Sequence, residues 1–426
     1  MRKLLNRLDK IKHIGLYIAM GAIVISALYS FVILPMFSDD LNPHPTADNY
    51  DKLALGIIND GSLSFYPNTE STVYRAPLYP LFIAICLNIF GNQIPQSVYA
   101  GQCIIFGLTI LLVFAISSRL WNKKIAIITS ILCSLHPYLI QYAGNILLEN
   151  ITIFLFTTSM FSVLLFFKKP SIKYGLLVGS VLGISALCKG TFIPFLFFTP
   201  LLLFIKVKTT RNKLYTVLVF LMAITIVTTW TIRNYNLTGK FIPVHTTAGQ
   251  NSASGDFFSQ RFLETPFSYS KLRKASIPDM ENILNEWKSS SPGKWDSLKR
   301  WEKEVISDDL FRDYSYNSYK NNPLLLVRKG LVNAVMFWTT GTTEVNSFII
   351  SLLQIPLLLL VIYSVLKLRK RKHFQSIHFI HLLIVFHYFI FHLPVFAFSR
   401  LSVVLIPTMM IYAVAILKDY IDDYKV

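Results

Sequence analysis

"VYRAPLYPLFIA", residues 73–84, sets a cation at the mouth of an apolar run. Arg75 stands just ahead of Pro77 and Pro80, and Leu81, Phe82 and Ile83 then head toward lipid. A fixed positive charge there is either a topology signal or a functional group. The choice turns on which side of a membrane it faces.

The membrane follows from composition. The chain has 426 residues, 53% of them hydrophobic and 15% charged, whereas a soluble domain carries roughly 25% charged residues. Apolar windows of about 18 residues or more recur, each long enough to cross ~30 Å of hydrocarbon. Spans are predicted near 14–36, 95–116, 125–141, 150–167, 174–188, 191–205, 214–232, 346–366, 377–394 and 401–417, about ten in all, with weaker candidates at 78–91 and 324–338. Arg2, Lys3, Arg7, Lys10 and Lys12 precede the first. Its apolar run is too long for a signal peptide and no small-x-small cleavage site follows it, so it reads as a retained anchor. The fold class is therefore an all-α polytopic membrane protein.

With a cytoplasmic N-terminus, alternation puts Arg119/Lys123/Lys124, Lys168/Lys169/Lys173, Lys206/Lys208/Arg211/Lys213 and Lys367/Arg369/Lys370/Arg371/Lys372 inside, together with Lys418 and Lys425 of the C-terminal tail. That is the positive-inside pattern. The formal charge of +18 is then mostly a topology signal. Its dispersal between spans argues against a nucleic-acid partner. The chain divides into an N-terminal transmembrane region, 1–232, with a first external loop at 37–94; an external cap segment, 233–345; and C-terminal transmembrane helices, 346–426. Within the cap, Ser307 followed by acids marks a helix start and predicts a helix over 307–321. Pro323 opens an apolar helix over 323–338 that would lie at the interface.

Cys86, Cys103, Cys133 and Cys188 lie in or beside apolar segments without CxxC spacing and read as packing residues. His378 and His381, at i and i+3, could share a ligand or proton, but packing or the lining of a polar cavity is the favoured reading for them and for His387 and His392.

Against this topology four isolated cations are out of place: Arg75, Lys189, Arg233 and Arg400 all fall at external edges of spans. Snorkelling accounts for any one of them. Four together favour a bound anion at headgroup level, and a phosphate suits the two-pronged guanidinium. Carboxylates are scarcer: Glu149 is the only acid between Glu70 and Asp256. The first external loop, "FSDDLNPHPTADNYDKLALGI", offers Asp39, Asp40, Asp48 and Asp51. Asp48 precedes a helical pattern through Tyr50, Leu53, Ala54, Ile57 and Ile58, and local sequence alone favours a helix-capping role for it.

The order of features resembles the GT-C glycosyltransferases of the family 39 type, relatives of protein O-mannosyltransferases and of the lipid A aminoarabinose transferase. It rests on an early external Asp and Tyr before "LALGIINDG", then "YRAPLYPLFIA", "HPYLIQYAGNILLEN", "WTIRNYNLTGKFIPV", "NPLLLVRKGLVNAVMFW" and "FSRLSVVLIP", and covers nearly the whole chain. The resemblance implies a GT-C-like bundle whose external loops contain interfacial helices. It implies an enzyme that takes sugar from a polyprenyl-phosphate carrier to a glycolipid, protein or cell-envelope glycan, at the external face of a bacterial cytoplasmic membrane. The family's essential Asp has its nearest match in Asp48, two residues before Tyr50. The usual spacing falls on Thr46, which leaves Asp51 or Asp40 as alternatives. The second acid maps onto Glu149, the base before Pro-Leu-Tyr-Pro onto Arg75 beside Tyr74, and the late Arg onto Arg400. Trp230, Arg233 and Asn234 match the Trp-x-x-Arg-Asn signature, with Thr229 where Pro is usual. Lys189 stands where many relatives have Arg-Pro.

The residue types suit that chemistry independently. A lipid phosphate leaves already charged, so it needs cations and no proton donor, and Arg75, Arg233 and Arg400 are the candidates to hold it. A carboxylate across the sugar takes the acceptor's proton in an inverting transfer, a role assigned to Asp48, with Glu149 orienting it, binding sugar hydroxyls or pairing with an Arg. No cofactor is expected. Asp39, Asp40 and Asp48 could bind Mg²⁺ or Mn²⁺, but cationic side chains can replace a metal at phosphate. Two other classes compete: a transporter or flippase, and a polymerase or ligase, of lipid-linked sugars. Convergence of Asp48, Glu149 and Arg75 on one cavity would favour the enzyme over the transporter.

Overall fold

The computed structural model describes residue 5 and residues 8–36, 48–265, 267–370 and 375–418. Among them the chain is helices and turns, without a strand. Asp39, Asp40 and Thr46 lie outside the described residues.

The chain opens with α1 (Ile14–Met36). After the first loop come α2 (Tyr50–Asp60), α3 (Leu78–Phe90), α4 (Gln96–Leu120), α5 (Lys123–Ser134), α6 (Pro137–Gly144), α7 (Glu149–Lys168) and α8 (Ile172–Cys188). Next are α9 (Gly190–Lys206) and α10 (Thr210–Thr238). A polar stretch holds α11 (Ala248–Arg261), α12 (Tyr269–Ser290), α13 (Lys294–Ser297), α14 (Arg300–Asn321) and α15 (Leu324–Thr339). The chain then returns to apolar helices in α16 (Glu344–Lys370), α17 (Ser376–His392) and α18 (Ser399–Leu417).

Among the described residues six helices are long and apolar enough to cross a membrane: α1, α4, α7, α10, α16 and α18. The predicted span 125–141 is the pair α5 and α6, bent by 54°. His136 is extended at φ −71, ψ 120, because the ring of Pro137 disfavours a helical residue before it. The remaining predicted spans, 174–188, 191–205 and 377–394, are the shorter apolar helices α8, α9 and α17. Hydropathy found every segment and the limits of these three, but not the bend inside 125–141.

In α7 and α18, 72% and 78% of the apolar window is buried, against 22% in α1 and 28% in α16, so these two helices are the centre of the bundle. Phe156 of α7 and Tyr388 of α17 meet at 5.4 Å between ring centroids, with Phe192 and Phe195 beside them. Buried polar side chains fix where α7 begins. Tyr79 donates to Gln102 at 2.8 Å. The Gln102 amide in turn donates to the carbonyls of Ala143 and Asn145 at 3.0 and 2.9 Å, and the carbonyl of Gln102 accepts from Asn150 at 3.1 Å. Such a net sets the turn that presents Glu149.

The polar stretch packs on itself. α14 starts at Arg300, seven residues before the predicted cap at Ser307. The Glu302 carboxylate accepts from the Lys299 amide at 2.7 Å, and Ser307 instead donates to the carbonyl of Lys303. At Gly249 a Cβ would collide with the backbone carbonyl of Asp308, so α11 and α14 cross this closely only with glycine there. Lys329 of α15 is fully buried, paired with Asp256 of α11 at 3.0 Å. Asp256 also accepts from Ser315 and Tyr319 of α14, each at 2.6 Å. One buried ion pair thus joins three helices.

The histidines on α17 pack as expected. His378 stacks on Trp121 at 4.6 Å, and His381 meets the carbonyl of Met160 at 3.0 Å. All four cysteines are buried and unpaired with one another.

Candidate active site

Five charged side chains from five separated stretches meet at one end of the bundle. Asp48 lies just before α2, Arg75 just before α3, Glu149 is the first residue of α7, Lys189 stands between α8 and α9, and Arg400 is in the first turn of α18. Each sits where a helix starts or breaks, which is how a bundle of apolar helices brings charges together at one depth.

Asp48 is gripped from both sides. Its Oδ1 accepts from Arg75 Nη2 at 3.1 Å and its Oδ2 from Arg400 Nη2 at 3.0 Å. Arg400 is itself forked, its Nε lying 2.6 Å from Glu149 Oε1. Lys189 Nζ stands 4.0 Å from the same oxygen and makes no hydrogen bond of its own. The other carboxylate oxygen of Glu149, and Arg75 Nε, are also buried without a hydrogen-bond partner. Three cations against two carboxylates leave an excess of one positive charge, with unsatisfied polar atoms of both signs. Such atoms are costly unless something completes them.

The helix-cap role favoured for Asp48 by local sequence does not form. The cap position of α2 is Asn49, in the left-handed region at φ 55, ψ 29, and no side chain caps the helix. Asn is among the few non-glycine residues that tolerate this conformation. It turns the chain so that the Asp48 side chain faces the arginines. Burial pushes the Asp48 carboxyl upward, but Arg400 and Arg75 outweigh it and hold it below the usual carboxylate range. Asp51 lies in the first turn of α2, one of its oxygens buried without a partner.

Arg75 is also held by aromatic faces: its Cζ lies 5.4 Å from the ring centre of Tyr50 and 4.9 Å from that of Tyr74. Tyr50 is buried edge-on against Tyr79 at 4.9 Å, and Tyr74 donates to Gln250 of α11 at 2.8 Å.

Trp230, Arg233 and Asn234, at the end of α10, bind neighbouring backbone instead. Trp230 donates to the carbonyl of Val244 at 3.0 Å, and Asn234 to those of Ile242 and Val244 at 3.0 and 3.1 Å. Arg233 donates to the carbonyl of Thr72 at 2.9 Å. The same short segment is held from α14, where the Glu304 carboxylate accepts from Thr72 Oγ1 at 2.6 Å and from the Val73 amide at 2.9 Å. The structure brings Arg233 to the strap that carries Arg75 and Asn234 to the 242–244 segment, rather than into contact with the five-charge cluster.

Sequence reasoning missed Glu304, Gln250 and His245. His245 packs against Gly190, beside Lys189. Burial, with Arg75 and Lys189 adding to it, lowers its pKa to about 4. Among the described residues no group of three or more His, Cys, Asp or Glu side chains is placed to hold a metal ion. A cleft of about 590 Å³ opens between the 66–74 segment and α14. It is lined by Tyr66, Tyr74 and Phe311 with Gln250, Arg300 and Lys303 among its polar groups, and meets the charged cluster at Tyr74, whose ring abuts Arg75.

Residues 74–232 match the sequence profile of a family described as dolichyl-phosphate-mannose-protein mannosyltransferase, and that stretch supplies Arg75, Glu149 and Lys189. No curated protein sequence matches the chain. Among solved structures, the archaeal oligosaccharyltransferase AglB from Archaeoglobus fulgidus, in complex with an inhibitory peptide and a dolichol-phosphate, aligns with a TM-score of 0.57 at 15% identity, over 96% of this chain and 51% of that one. The Archaeoglobus fulgidus oligosaccharyltransferase in the apo form gives 0.58 at 16% identity, over 96% and 51%. The same enzyme tethered through a disulfide to an acceptor peptide containing the NVT sequon gives 0.57 at 16%, over 97% and 50%. The chain spans about half the length of these solved relatives. At such identities the likeness is one of fold. The fold is that of the GT-C glycosyltransferases, and the matched family is one of glycosyltransferases.

Proposed function

We propose that the protein transfers a sugar from a polyprenyl-phosphate carrier to a hydroxyl or phosphate of a glycolipid, protein or cell-envelope glycan. The reaction takes place at the extracytoplasmic face of a bacterial cytoplasmic membrane. The observation that carries this reading is the five-charge cluster: isolated charges in an apolar chain converge on one site, as an enzyme requires and a transporter with dispersed sites does not. The excess positive charge suits a phosphodiester, and the match to a dolichyl-phosphate-mannose transferase family over 74–232 supports a lipid phosphate as donor.

In the transfer, the C1–O bond to the phosphate breaks and its electron pair leaves on the phosphate oxygen, where Arg75 and Arg400 stabilise the charge. The acceptor oxygen bonds C1 from the opposite face, inverting it, and its proton passes to the Asp48 carboxylate. Glu149 fixes Arg400, and its free oxygen takes a sugar hydroxyl. The cleft beside Tyr74, with aromatic faces and fixed polar groups, is the acceptor's approach.

The basic ends of the helices support the orientation. Lys168, at the far end of α7 from Glu149, donates to the carbonyl of Arg119 at 2.8 Å, Lys123 reaches the carbonyl of Asp9, and Lys418 lies over Trp121 at 5.9 Å. Twenty residues of α7 put these about 30 Å from the site, and this basic end is the one assigned to the cytoplasmic side.

Mass spectrometry of lipid co-purifying with the protein tests the donor. A polyprenyl phosphate or its glycosylated form is expected. Its absence, together with failure to bind added polyprenyl phosphate, would overturn the reading.

A further inference from the structure

The two arginines assigned to the carrier phosphate are already occupied. Each donates a hydrogen bond to a different oxygen of Asp48, at 3.1 and 3.0 Å, so the carboxylate spans the gap between the guanidinium groups as a phosphate would. Held this way, Asp48 is also a weak base, because both of its oxygens are committed. The arginines and Asp48 differ in how they are fixed. Arg400 is anchored by Glu149, which is 1% exposed at the head of α7, and Arg75 lies between Tyr50 and Tyr74. Asp48 is tied only by the ion pairs themselves, and it makes no cap bond to α2.

We propose that Asp48 is an internal stand-in for the carrier phosphate: donor binding displaces its carboxylate from Arg75 and Arg400 and thereby frees the base. The inference rests on the donor assignment above. The guanidinium groups stay where Glu149 and the tyrosines hold them, while the carboxylate swings off. Arg75 Nε, buried without a partner, is a further donor ready for the incoming anion. Asp48 loses its two neutralising contacts as the sugar arrives, so its proton affinity rises when it is needed.

Competition makes the test direct. Farnesyl phosphate binding is measured in detergent micelles by calorimetry for the wild type, Asp48→Asn, Asp48→Ala and the control Asp51→Asn, at low and at about 0.5 M salt. Removing the competing carboxylate is expected to tighten binding about tenfold, about 1.4 kcal/mol, in both Asp48 variants and not in Asp51→Asn. A gain due only to long-range charge would collapse at high salt, where screening acts within a few ångströms, whereas a contact competition persists. Unchanged or weaker binding by both Asp48 variants, or a gain lost in salt, overturns the displacement while leaving the donor assignment standing. Absence of binding by every form, wild type included, overturns the donor assignment itself.

Discussion

Among the described residues Arg400 alone pairs with both carboxylates of the cluster, and Arg400→Gln measures what that costs. Glu149 is 2% exposed at its side chain, pairs through Oε1 with Arg400 Nε at 2.6 Å, and its other oxygen is buried without a partner. With a neutral side chain there, Glu149 keeps only Lys189, 4.0 Å away, and Asp48 keeps only Arg75. Breaking a buried pair by removing one partner costs about 3–5 kcal/mol, because a charge is left uncompensated. The surviving Lys189 places this case near the lower bound, about 3 kcal/mol, or about a hundredfold in the folded-to-unfolded ratio. Removing both charges relieves the orphan. Arg400→Gln/Glu149→Gln is therefore expected to recover at least half of the loss while remaining inactive, and the double-mutant cycle gives the coupling directly. The assay is equilibrium unfolding in mixed micelles, run beside sugar transfer. An Arg400→Gln protein as stable as the wild type, or a double variant worse than the single one, would refute the view that Arg400 neutralises a buried carboxylate.

Three further outcomes are expected. Arg75→Ala raises the donor KM more than Arg75→Lys, since lysine keeps the charge but loses the fork; equal kinetics for all three forms would leave Arg75 as a snorkelling residue. Tyr66→Ala, half-exposed at the edge of the cleft, raises the acceptor KM and leaves donor binding unchanged; a change confined to the donor would place the acceptor elsewhere. His245, whose pKa is lowered to about 4 by burial and by Arg75 and Lys189, stays neutral in the folded protein while the unfolded chain takes up its proton below about pH 6.5. Stability is therefore full above that value and falls between about 6.5 and 4. His245→Asn flattens this part of the stability–pH curve, and an unchanged slope would contradict it.

The parts of the site that the sequence made legible are those that broke a rule. Arg75, Lys189 and Arg400 are cations on the wrong side of a positive-inside pattern, and Glu149 is a lone acid in a long apolar stretch. Charges at such positions survive only with partners, and the structure supplies the partners in one another. Asp48 was harder, because an aspartate ahead of a helix also reads as a cap. The left-handed Asn49 that removes that role has no signature that distinguishes it from an ordinary polar neighbour. Glu304, Gln250 and His245 were out of reach for the opposite reason. They belong to a segment of ordinary polar composition, where one more carboxylate, amide or imidazole stands out from nothing; only the packing of α14 and α11 against the 66–74 strap brings in Glu304 and Gln250, and only that of His245 against Gly190 brings it beside Lys189. Hydropathy likewise located every apolar segment, and the break at Lys189 and Gly190 between the spans 174–188 and 191–205, but could not see that Pro137 bends one pair of helices.

The central claim, sugar transfer with Asp48 as base, is tested most directly in proteoliposomes by comparing transfer from a polyprenyl-phosphate-linked sugar in the wild type and in Asp48→Asn. Asparagine keeps the size of the side chain and cannot accept the proton, and loss of a general base costs about 10²–10⁴ in rate. The account predicts a folded Asp48→Asn protein that still binds the carrier and transfers sugar 10²–10⁴-fold more slowly; near-normal turnover by that variant would contradict it.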